Sequence, residues 1–258
     1  MPEIHPTAVV DPRAELADDV SIGALCVVGP EVRLAAGVRL DSYASVHGRT
    51  TVGARTRLYP HACIGGEPQD KVPDGEPQGL EVGCDNQIRE FATVHVGTER
   101  GGGCTRIGDD NLIMNNAHVA HDCQVGSHCI ITGPGGLAGH VILEDFAILG
   151  AFTGVHQFCR VGESAMCAGN AKLRKDAPPF SMVAGDGARV VGLNVVGLRR
   201  RGFSPETIRT LKHAFHLLFN SRMRFQEALK RVREEIPDSP EVNRLGVFLE
   251  ESQRGFCR

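Results

Sequence analysis

Residues 107–125 read IGDDNLIMNNAHVAHDCQV, and an aliphatic side chain stands at every sixth position: Ile107, Ile113, Val119 and Val125. A period of six is too long for the alternation of a single β-strand and does not match the 3.6-residue period of a helix. Repeats of this length are typical of a parallel β-helix, in which each repeat supplies one short strand and one turn. The stretch therefore predicts a solenoid.

The six-residue period extends in both directions from this stretch. It runs from Ile4 to Ile64, resumes at Val82 after a polar insertion, and continues to Leu173 after a second, glycine-rich insertion at 100–103. Chains with this pattern resemble the left-handed β-helix acyltransferases, whose coil is a triangle of three repeats. We therefore expect a mainly β protein, with a left-handed parallel β-helix over residues 1–190.

A coil of three repeats predicts which residues stack, because residues 18 apart then lie on neighbouring strands about 4.8 Å apart. Counting one coil across the second insertion, the residues that follow the aliphatic series on one face form a single strip. We call it the histidine strip: His95, His121, Asp122, His140, His156 and Gln157. Isolated histidines on a solenoid are usually solvated, and we interpret His47, His61 and His128 in this way. Histidines that converge on one strip favour a functional site.

The repeat ends after Leu173, and a connector leads into a C-terminal helical domain that we place at residues 191–258. Ser204 followed by Pro205 predicts a helix start, because serine caps helix N-termini and proline suits the first turn. Two further helices are expected at 225–235 and from Ser239 to about 252. So small a domain should dock on the solenoid or on a neighbouring subunit.

Composition and charge exclude several classes of function. The formal net charge of −3 implies no general attraction to nucleic acid. Nine cysteines without a CxxC spacing argue against a secreted disulfide framework, and we expect mostly buried thiols in a reducing cytoplasm. We find no signal peptide and no transmembrane segment in the sequence. The arginine block 199–201 and nearby basic residues, Arg222 among them, suit a phosphate group or an acidic protein partner.

Four blocks in order resemble the UDP-N-acetylglucosamine 3-O-acyltransferases of lipid A biosynthesis: residues 115–123, 137–140, 155–159 and 197–203. The resemblance covers essentially the whole chain. It implies transfer of a 3-hydroxyacyl chain from acyl carrier protein to the 3-hydroxyl of UDP-N-acetylglucosamine. It also implies a homotrimer with its sites between neighbouring subunits, and neither a cofactor nor a metal.

The resemblance also assigns roles to individual residues. His121 is the general base, Asp122 orients it, and the backbone N–H of Gly139 occupies the oxyanion position. The substrate-binding positions are Asp70, His95, His118, His140, His156, Gln157, Asn194, Arg200 and Arg201. Gly169 matches a position that limits acyl length; because glycine has no side chain, we expect room for a longer acyl chain.

The chain departs from the family pattern at three places. Lys71-Val72-Pro73 replaces a Leu-Lys-Tyr-like segment, so that a basic residue is present but shifted. Val196 stands where a glutamate is usual, and the glycine-rich segment 133–136 replaces an asparagine-rich one. These departures leave open how the nucleotide is held.

Three alternatives remain at the level of sequence. A γ-type carbonic anhydrase uses the same solenoid and binds zinc through three histidines of adjacent coils, and the spacing of His118 and His121 suits such a site. An acyltransferase could instead accept a sugar with a 3-amine. An inert trimerisation scaffold would need no chemistry at all, because a fold does not fix a function. The histidine strip argues against the scaffold.

Overall fold

A computed structural model describes residues 1–71, 78–221 and 223–258, and in these ranges the chain forms a left-handed parallel β-helix followed by helices. The strands in chain order are β1 (Glu3–Ile4), β2 (Val9–Val10), β3 (Glu15–Leu16), β4 (Ser21–Ile22), β5 (Val27–Val28), β6 (Arg33–Leu34), β7 (Arg39–Leu40), β8 (Ser45–Val46), β9 (Arg49–Val52), β10 (Arg57–Leu58), β11 (Cys63–Gly66), β12 (Gly79–Val82), β13 (Gln87–Ile88), β14 (Thr93–His95), β15 (Cys104–Ile107), β16 (Leu112–Ile113), β17 (His118–Val119), β18 (Gln124–Val125), β19 (Ile130–Ile131), β20 (Gly136–Leu137), β21 (Ile142–Leu143), β22 (Ile148–Leu149), β23 (Gly154–Val155), β24 (Arg160–Val161), β25 (Met166–Cys167), β26 (Lys172–Leu173), β27 (Ser181–Ala184) and β28 (Arg189–Leu193).

Three sheets form the faces of a triangular prism. Face A is the sheet from β1 to β28, face B runs from β2 to β26, and face C runs from β3 to β24. Up to β26, successive strands visit A, B and C in turn, so strands three apart pair in parallel. Val94 pairs with Val119, Val119 with Leu137, and Leu137 with Val155. This register confirms the stacking expected from the sequence.

The aliphatic series fills the narrow space between the three faces. From Ile22 to Leu173 every member of the series is at most 4% exposed. Burying a side chain of this size stabilises the fold by roughly 1.5–3 kcal/mol. Ile4 in the first coil is 40% exposed, because no further coil packs against that end of the described structure.

The corners of the prism use a left-handed backbone conformation at non-glycine residues. Successive corners between faces B and C place Asp122 at φ 61°, His140 at φ 62° and Phe158 at φ 65°. L-residues other than asparagine and aspartate rarely adopt this region. Because the conformation repeats in these three coils, the side chains at this corner stack in register. Three residues of the predicted site region are thereby aligned along one edge.

The connector after the repeat is more ordered than expected. Strands β27 and β28 form an antiparallel hairpin that extends face A, and β27 pairs in parallel with β25. Val183 pairs with Cys167 and is buried, so the hairpin covers the end of the solenoid core. The sequence does not predict these strands, because Pro178 and Pro179 shift the chain out of the six-residue period.

The helices are α1 (Val195–Arg200), α2 (Pro205–Phe215), α3 (Phe225–Glu235) and α4 (Pro240–Glu251), with a π-helical turn (His216–Asn220) after α2. The three helices expected from the sequence are confirmed, and α1 is additional. The hydroxyl of Ser204 caps α2 by accepting from the N–H of Thr207 at 3.0 Å. Ser239 caps α4 in the same way.

The helical domain packs on the solenoid, as expected for its size. The hydroxyl of Ser252 donates to Asp176 at 2.7 Å, and Cys257 is buried in the solenoid core. The guanidinium of Arg160 lies 4.5 Å from the ring centroid of Phe248 in α4. The domain boundary expected at residue 190 falls inside β28. The division into two domains stays a prediction.

All nine cysteines are free thiols, and seven of them are buried. Burial raises the pKa of Cys123 and of Cys129 to about 12, which makes these thiols unreactive. The expectation of mostly buried thiols is confirmed. In the described ranges, no helix combines the length and apolar character that crossing a membrane requires.

Candidate active site

His121 and Asp122 form a hydrogen-bonded pair at the corner between faces B and C, directly after β17. His121 Nδ1 lies 2.7 Å from Asp122 Oδ2. Because a carboxylate only accepts hydrogen bonds, the proton in this bond belongs to Nδ1, and Nε2 keeps its lone pair. His121 is 9% exposed, and the side chain of Asp122 is fully covered. The pair has the geometry of a general base with an orienting acid.

The Asp122 carboxylate is held by the segment between β14 and β15, which contains the second insertion. Thr98 donates twice, from its backbone N–H to Oδ1 at 2.8 Å and from its hydroxyl to Oδ2 at 2.7 Å. The N–H of Asp122 donates to the hydroxyl of Thr105 at 2.7 Å. Gly101 packs so closely that a Cβ at this position would overlap the carboxylate. The insertion therefore fixes the acid that orients His121.

His140 lies one coil beyond His121 along the same edge. Its ring stands perpendicular to the His121 ring at 5.1 Å between centroids and stacks on Phe158 at 4.4 Å. Its Nδ1 is 3.8 Å from Asp122 Oδ2. Burial lowers the pKa of His140, and the nearby Asp122 opposes this effect only in part. The lowered pKa favours the neutral form of the His140 ring.

The backbone of Gly139 closely approaches the His121 ring. A Cβ on this residue would come within 2.6 Å of Cε1 of the His121 ring, so a side chain here would displace the imidazole. The Gly139 carbonyl accepts from the N–H of Phe158 at 3.2 Å. Its own N–H has no acceptor in the described part of the chain. This donor is free to bind an oxygen of a substrate.

A groove of about 1020 Å³ runs along this edge of the prism. It brings together seven of the residues predicted for the site: Asp70, His118, His121, Gly139, His140, His156 and Gln157. The lining also includes residues that the sequence did not indicate as parts of the site, among them Thr98, Arg100, Gly101, Lys172 and Arg174. For Thr98, Arg100 and Gly101 the only signal in the sequence is the glycine-rich insertion, which does not predict a contact with Asp122.

His118 and His95 differ in their access to the groove. His118 lines it, its Nδ1 is 2.9 Å from the hydroxyl oxygen of Thr93, and burial lowers its pKa. His95 lies behind, with its ring 5.2 Å from that of His118 and Nδ1 bonded to the carbonyl of Glu67 at 2.7 Å. The Nε2 of His95 is buried without a hydrogen-bond partner among the described residues. His95 thus packs against a lining residue and does not line the groove.

Asn194, Arg200 and Arg201 lie at the other edge of face C, between faces C and A. Asn194 caps α1 by accepting from the N–H of Gly197 at 3.1 Å, and its amide donates to the carbonyl of Ser164 at 2.9 Å. The guanidinium of Arg201 donates to Glu163 at 2.8 Å. Arg200 is exposed. One chain therefore does not bring these three residues to the groove.

The acyl-length position Gly169 and the departure Val196 lie away from the His121–Asp122 pair, whereas Gly136 of the glycine-rich segment lines the groove. Gly169 is exposed at the corner between faces A and B, and its role stays a prediction. Val196 is 56% exposed on α1. Lys71 is exposed, whereas Val72, Pro73 and Arg222 lie outside the described residues.

One group of side chains in the described ranges has donor atoms close enough to hold a metal ion: His121, Asp122 and His140, within 4.8 Å of one another. Asp122 Oδ2 already accepts from His121 Nδ1 and from the hydroxyl of Thr98. An ion would have to displace these hydrogen bonds. The group contains two histidines, whereas the zinc alternative requires three.

Sequence and structure comparisons agree on the relatives of this chain. The family model described as "Udp N-acetylglucosamine O-acyltransferase; Domain 2" matches residues 176–257. The model described as "Bacterial transferase hexapeptide (six repeats)" matches residues 104–133. The chain is 43% identical over 258 residues to the acyl-[acyl-carrier-protein]--UDP-N-acetylglucosamine O-acyltransferase of Thermodesulfovibrio yellowstonii, covering 100% of both. It is 46% identical to the protein of that name from Alkalilimnicola ehrlichii, again over 100% of both. The LpxA structure from Acinetobacter baumannii matches with a TM-score of 0.95 at 41% identity, covering 99% of each chain.

The contacts of Thr98 generate a first prediction. Thr98→Val removes the hydroxyl that donates to Asp122 and leaves the backbone N–H in place. Because His121 is oriented through Asp122, we expect kcat for the reaction of this site to fall about tenfold while KM stays within about twofold.

Steady-state kinetics on the purified protein measure both constants. Thr98→Ser is the matched control, since it keeps the hydroxyl and should restore kcat. If Thr98→Val changes only the melting temperature and leaves kcat unaltered, Thr98 supports the fold and does not position Asp122.

Proposed function

The chain belongs to the acyl-[acyl-carrier-protein]–UDP-N-acetylglucosamine O-acyltransferase family, and we propose on this basis that it transfers a 3-hydroxyacyl chain from acyl carrier protein to the 3-hydroxyl of UDP-N-acetylglucosamine. This reaction is the first step of lipid A biosynthesis. The observation that carries the proposal is the His121–Asp122 pair, joined at 2.7 Å and placed on the wall of the groove.

His121 is the general base in this mechanism. Its Nε2 takes the proton of the sugar hydroxyl while Asp122 holds Nδ1–H and stabilises the cationic ring. The freed oxygen attacks the carbonyl carbon of the thioester, and negative charge develops on the carbonyl oxygen. The intermediate collapses by breaking the carbon–sulfur bond, and His121 returns its proton to the leaving thiolate. Acyl transfer is direct, without an acyl-enzyme.

Gly139 supplies the oxyanion donor in this proposal. Its N–H lies beside the base and has no acceptor in the described part of the chain, so it is available to the developing negative charge. The close approach of its backbone to the His121 ring explains why glycine suits this position. The base and the donor can therefore act on the same carbonyl group.

The remaining lining residues bind the substrates. Asp70 and His118 lie with His121 in the groove and would contact the sugar. His140, His156 and Gln157 continue the wall over the next two coils. Because burial lowers the pKa of His118 and His140, these rings offer neutral hydrogen-bonding groups and do not compete with His121 for the proton.

We further propose that the protein works as a homotrimer. The histidine strip lies at one edge of face C, whereas Asn194, Arg200 and Arg201 lie at its other edge. A cyclic arrangement with face C towards the axis brings one edge of each subunit to the opposite edge of its neighbour. Three copies related in this way complete three identical sites, in which Arg200 and Arg201 reach the nucleotide.

The acyl donor supplies the thioester and the nucleotide sugar supplies the attacking hydroxyl. The acyl chain arrives as a thioester on the phosphopantetheine of acyl carrier protein, so the reaction requires no cofactor and no metal. We retain the cytoplasm as the proposed location, where this carrier delivers the chain. A 3-hydroxyl acceptor is favoured over a 3-amine, because the similar proteins are named O-acyltransferases.

The role of His121 gives the principal test of this function. His121→Ala should lower kcat about a thousandfold in an assay with 3-hydroxyacyl carrier protein and UDP-N-acetylglucosamine, because general-base catalysis typically contributes factors of this order. KM values should change little. The assay follows the acylated nucleotide sugar by mass spectrometry.

His61→Ala is the matched control. His61 is exposed at the corner between faces A and B, away from the groove, and its loss should leave turnover unchanged. Near-normal turnover by His121→Ala would remove the proposed mechanism. No acyl transfer by the unmodified protein would remove the proposed function.

The metal requirement separates this proposal from a zinc hydratase. Treatment with a chelator followed by gel filtration should leave acyl transfer within about twofold of the untreated protein, because no step uses a metal. Elemental analysis measures the zinc content of the same samples. Stoichiometric zinc together with carbonic anhydrase activity that disappears on chelation would favour the alternative.

A further inference from the structure

We propose that Lys172 and Arg174 form a phosphate-binding subsite at the end of the groove remote from His121. This inference rests on the proposed acyl transfer and adds a binding determinant to it. Both residues line the groove together with the cation of Arg100, and the only lining carboxylate among the described residues is that of Asp70. The groove is therefore cationic in a chain whose net charge is −3.

An open trough leads from the catalytic coil to Lys172. On the outer surface of face B, His118 pairs with Gly136, Gly136 with Gly154, and Gly154 with Lys172. Two glycines in succession leave the surface between His118 and Lys172 without side chains. A Cβ at Gly154 would meet no atom within 4 Å. A slender chain can lie along this surface and end at the lysine.

Arg174 stands beside the end of the trough, one coil beyond His156. The N–H of His156 donates to the carbonyl of Leu173 at 2.9 Å, which places Arg174 next in the line of residues that follows face B. Arg174 is exposed, and its guanidinium makes no ion pair among the described residues, although its charge acts on the nearby Asp186 carboxylate. It can therefore bind an anion in the groove.

The carboxylate of Asp186 would compete with a phosphate for Lys172, and this carboxylate is exposed. The Nζ of Lys172 lies 2.9 Å from Asp186, and the two side chains are 61% and 68% exposed. An ion pair this exposed contributes little free energy, so a phosphate can replace the carboxylate. Lys172 and Arg174 together offer a point charge and a planar donor group, a combination that suits a phosphate oxygen cluster.

The length of the trough indicates which phosphate it binds. The coil of His121 and the coil of Lys172 are separated by three strand spacings, about 14 Å. About thirteen bonds join the thioester sulfur to the phosphorus of phosphopantetheine, which span about 15 Å at roughly 1.2 Å per bond. About five bonds join the sugar 3-oxygen to the nearer phosphorus of the nucleotide, which span only about 6 Å. The distance matches the phosphodiester of the acyl donor.

The test compares two small donors that differ only in this group, 3-hydroxyacyl-phosphopantetheine and 3-hydroxyacyl-pantetheine. The unmodified protein should show a KM about tenfold lower for the phosphorylated donor. In Arg174→Ala this preference should disappear, because the KM of the phosphorylated donor rises about tenfold. The KM for UDP-N-acetylglucosamine and kcat at saturation should stay within about twofold.

Three further variants sharpen the result. Lys175→Ala removes a neighbouring exposed cation that does not line the groove, and it should preserve the preference. Arg174→Lys should keep part of the preference, because it keeps the charge. Asp186→Asn removes the competitor of Lys172 and should lower the KM of the phosphorylated donor.

The outcomes separate the subsite from its ligand and from the proposed function. If Arg174→Ala raises the KM for UDP-N-acetylglucosamine instead, the subsite stands and its ligand is the diphosphate. If neither KM changes, or if Lys175→Ala has the same effect, there is no subsite. Failure of the proposed function would appear earlier, as no acyl transfer by the unmodified protein with either donor.

Discussion

The repeated hydrogen-bonded stacking of coils, with one left-handed residue at each of three successive corners between faces B and C, is the constraint on which the site depends. Parallel strand pairing holds each coil at a fixed spacing from the next. The left-handed φ of Asp122, His140 and Phe158 then directs their side chains in register along one edge. A residue placed at this corner therefore has its neighbours determined by the coils on either side. The solenoid therefore places side chains of successive coils at a fixed spacing along this edge.

Within one coil, neighbouring residues serve either the solenoid core or the candidate active site. Val119 and Cys123 are fully buried and belong to the core, whereas His121 and Asp122 between them face the groove edge. The solenoid alone does not hold the acid in place, because two of its hydrogen bonds come from Thr98, in the irregular segment between β14 and β15 that contains the second insertion. The regular repeat thus provides position, and the irregular insertion provides orientation. A general base needs both, since proton transfer depends on the direction of the Nε2 lone pair.

The six-residue period of the sequence predicts the strand register of the solenoid and the residues that stack along its edges. The pairing of Val94 with Val119, and the convergence of His121, His140, His156 and Gln157, follow from counting residues. The contact of Thr98 with Asp122 does not follow, because an insertion has no fixed length per coil. The hairpin of β27 and β28 and the helix α1 lie beyond the repeat for the same reason. The sequence pattern also could not show that the Asn194 amide donates to the Ser164 carbonyl or that Arg201 pairs with Glu163, since both contacts join segments far apart in the chain.

We infer from the hydrogen bond between them that Asp122 keeps His121 in the tautomer with a free Nε2. The most direct test is kcat of Asp122→Asn, in which the amide would donate to Nδ1 and force the proton onto Nε2. We expect kcat to fall at least about a hundredfold, with KM values and melting temperature nearly unchanged. A kcat within about threefold of the unmodified protein would contradict this inference.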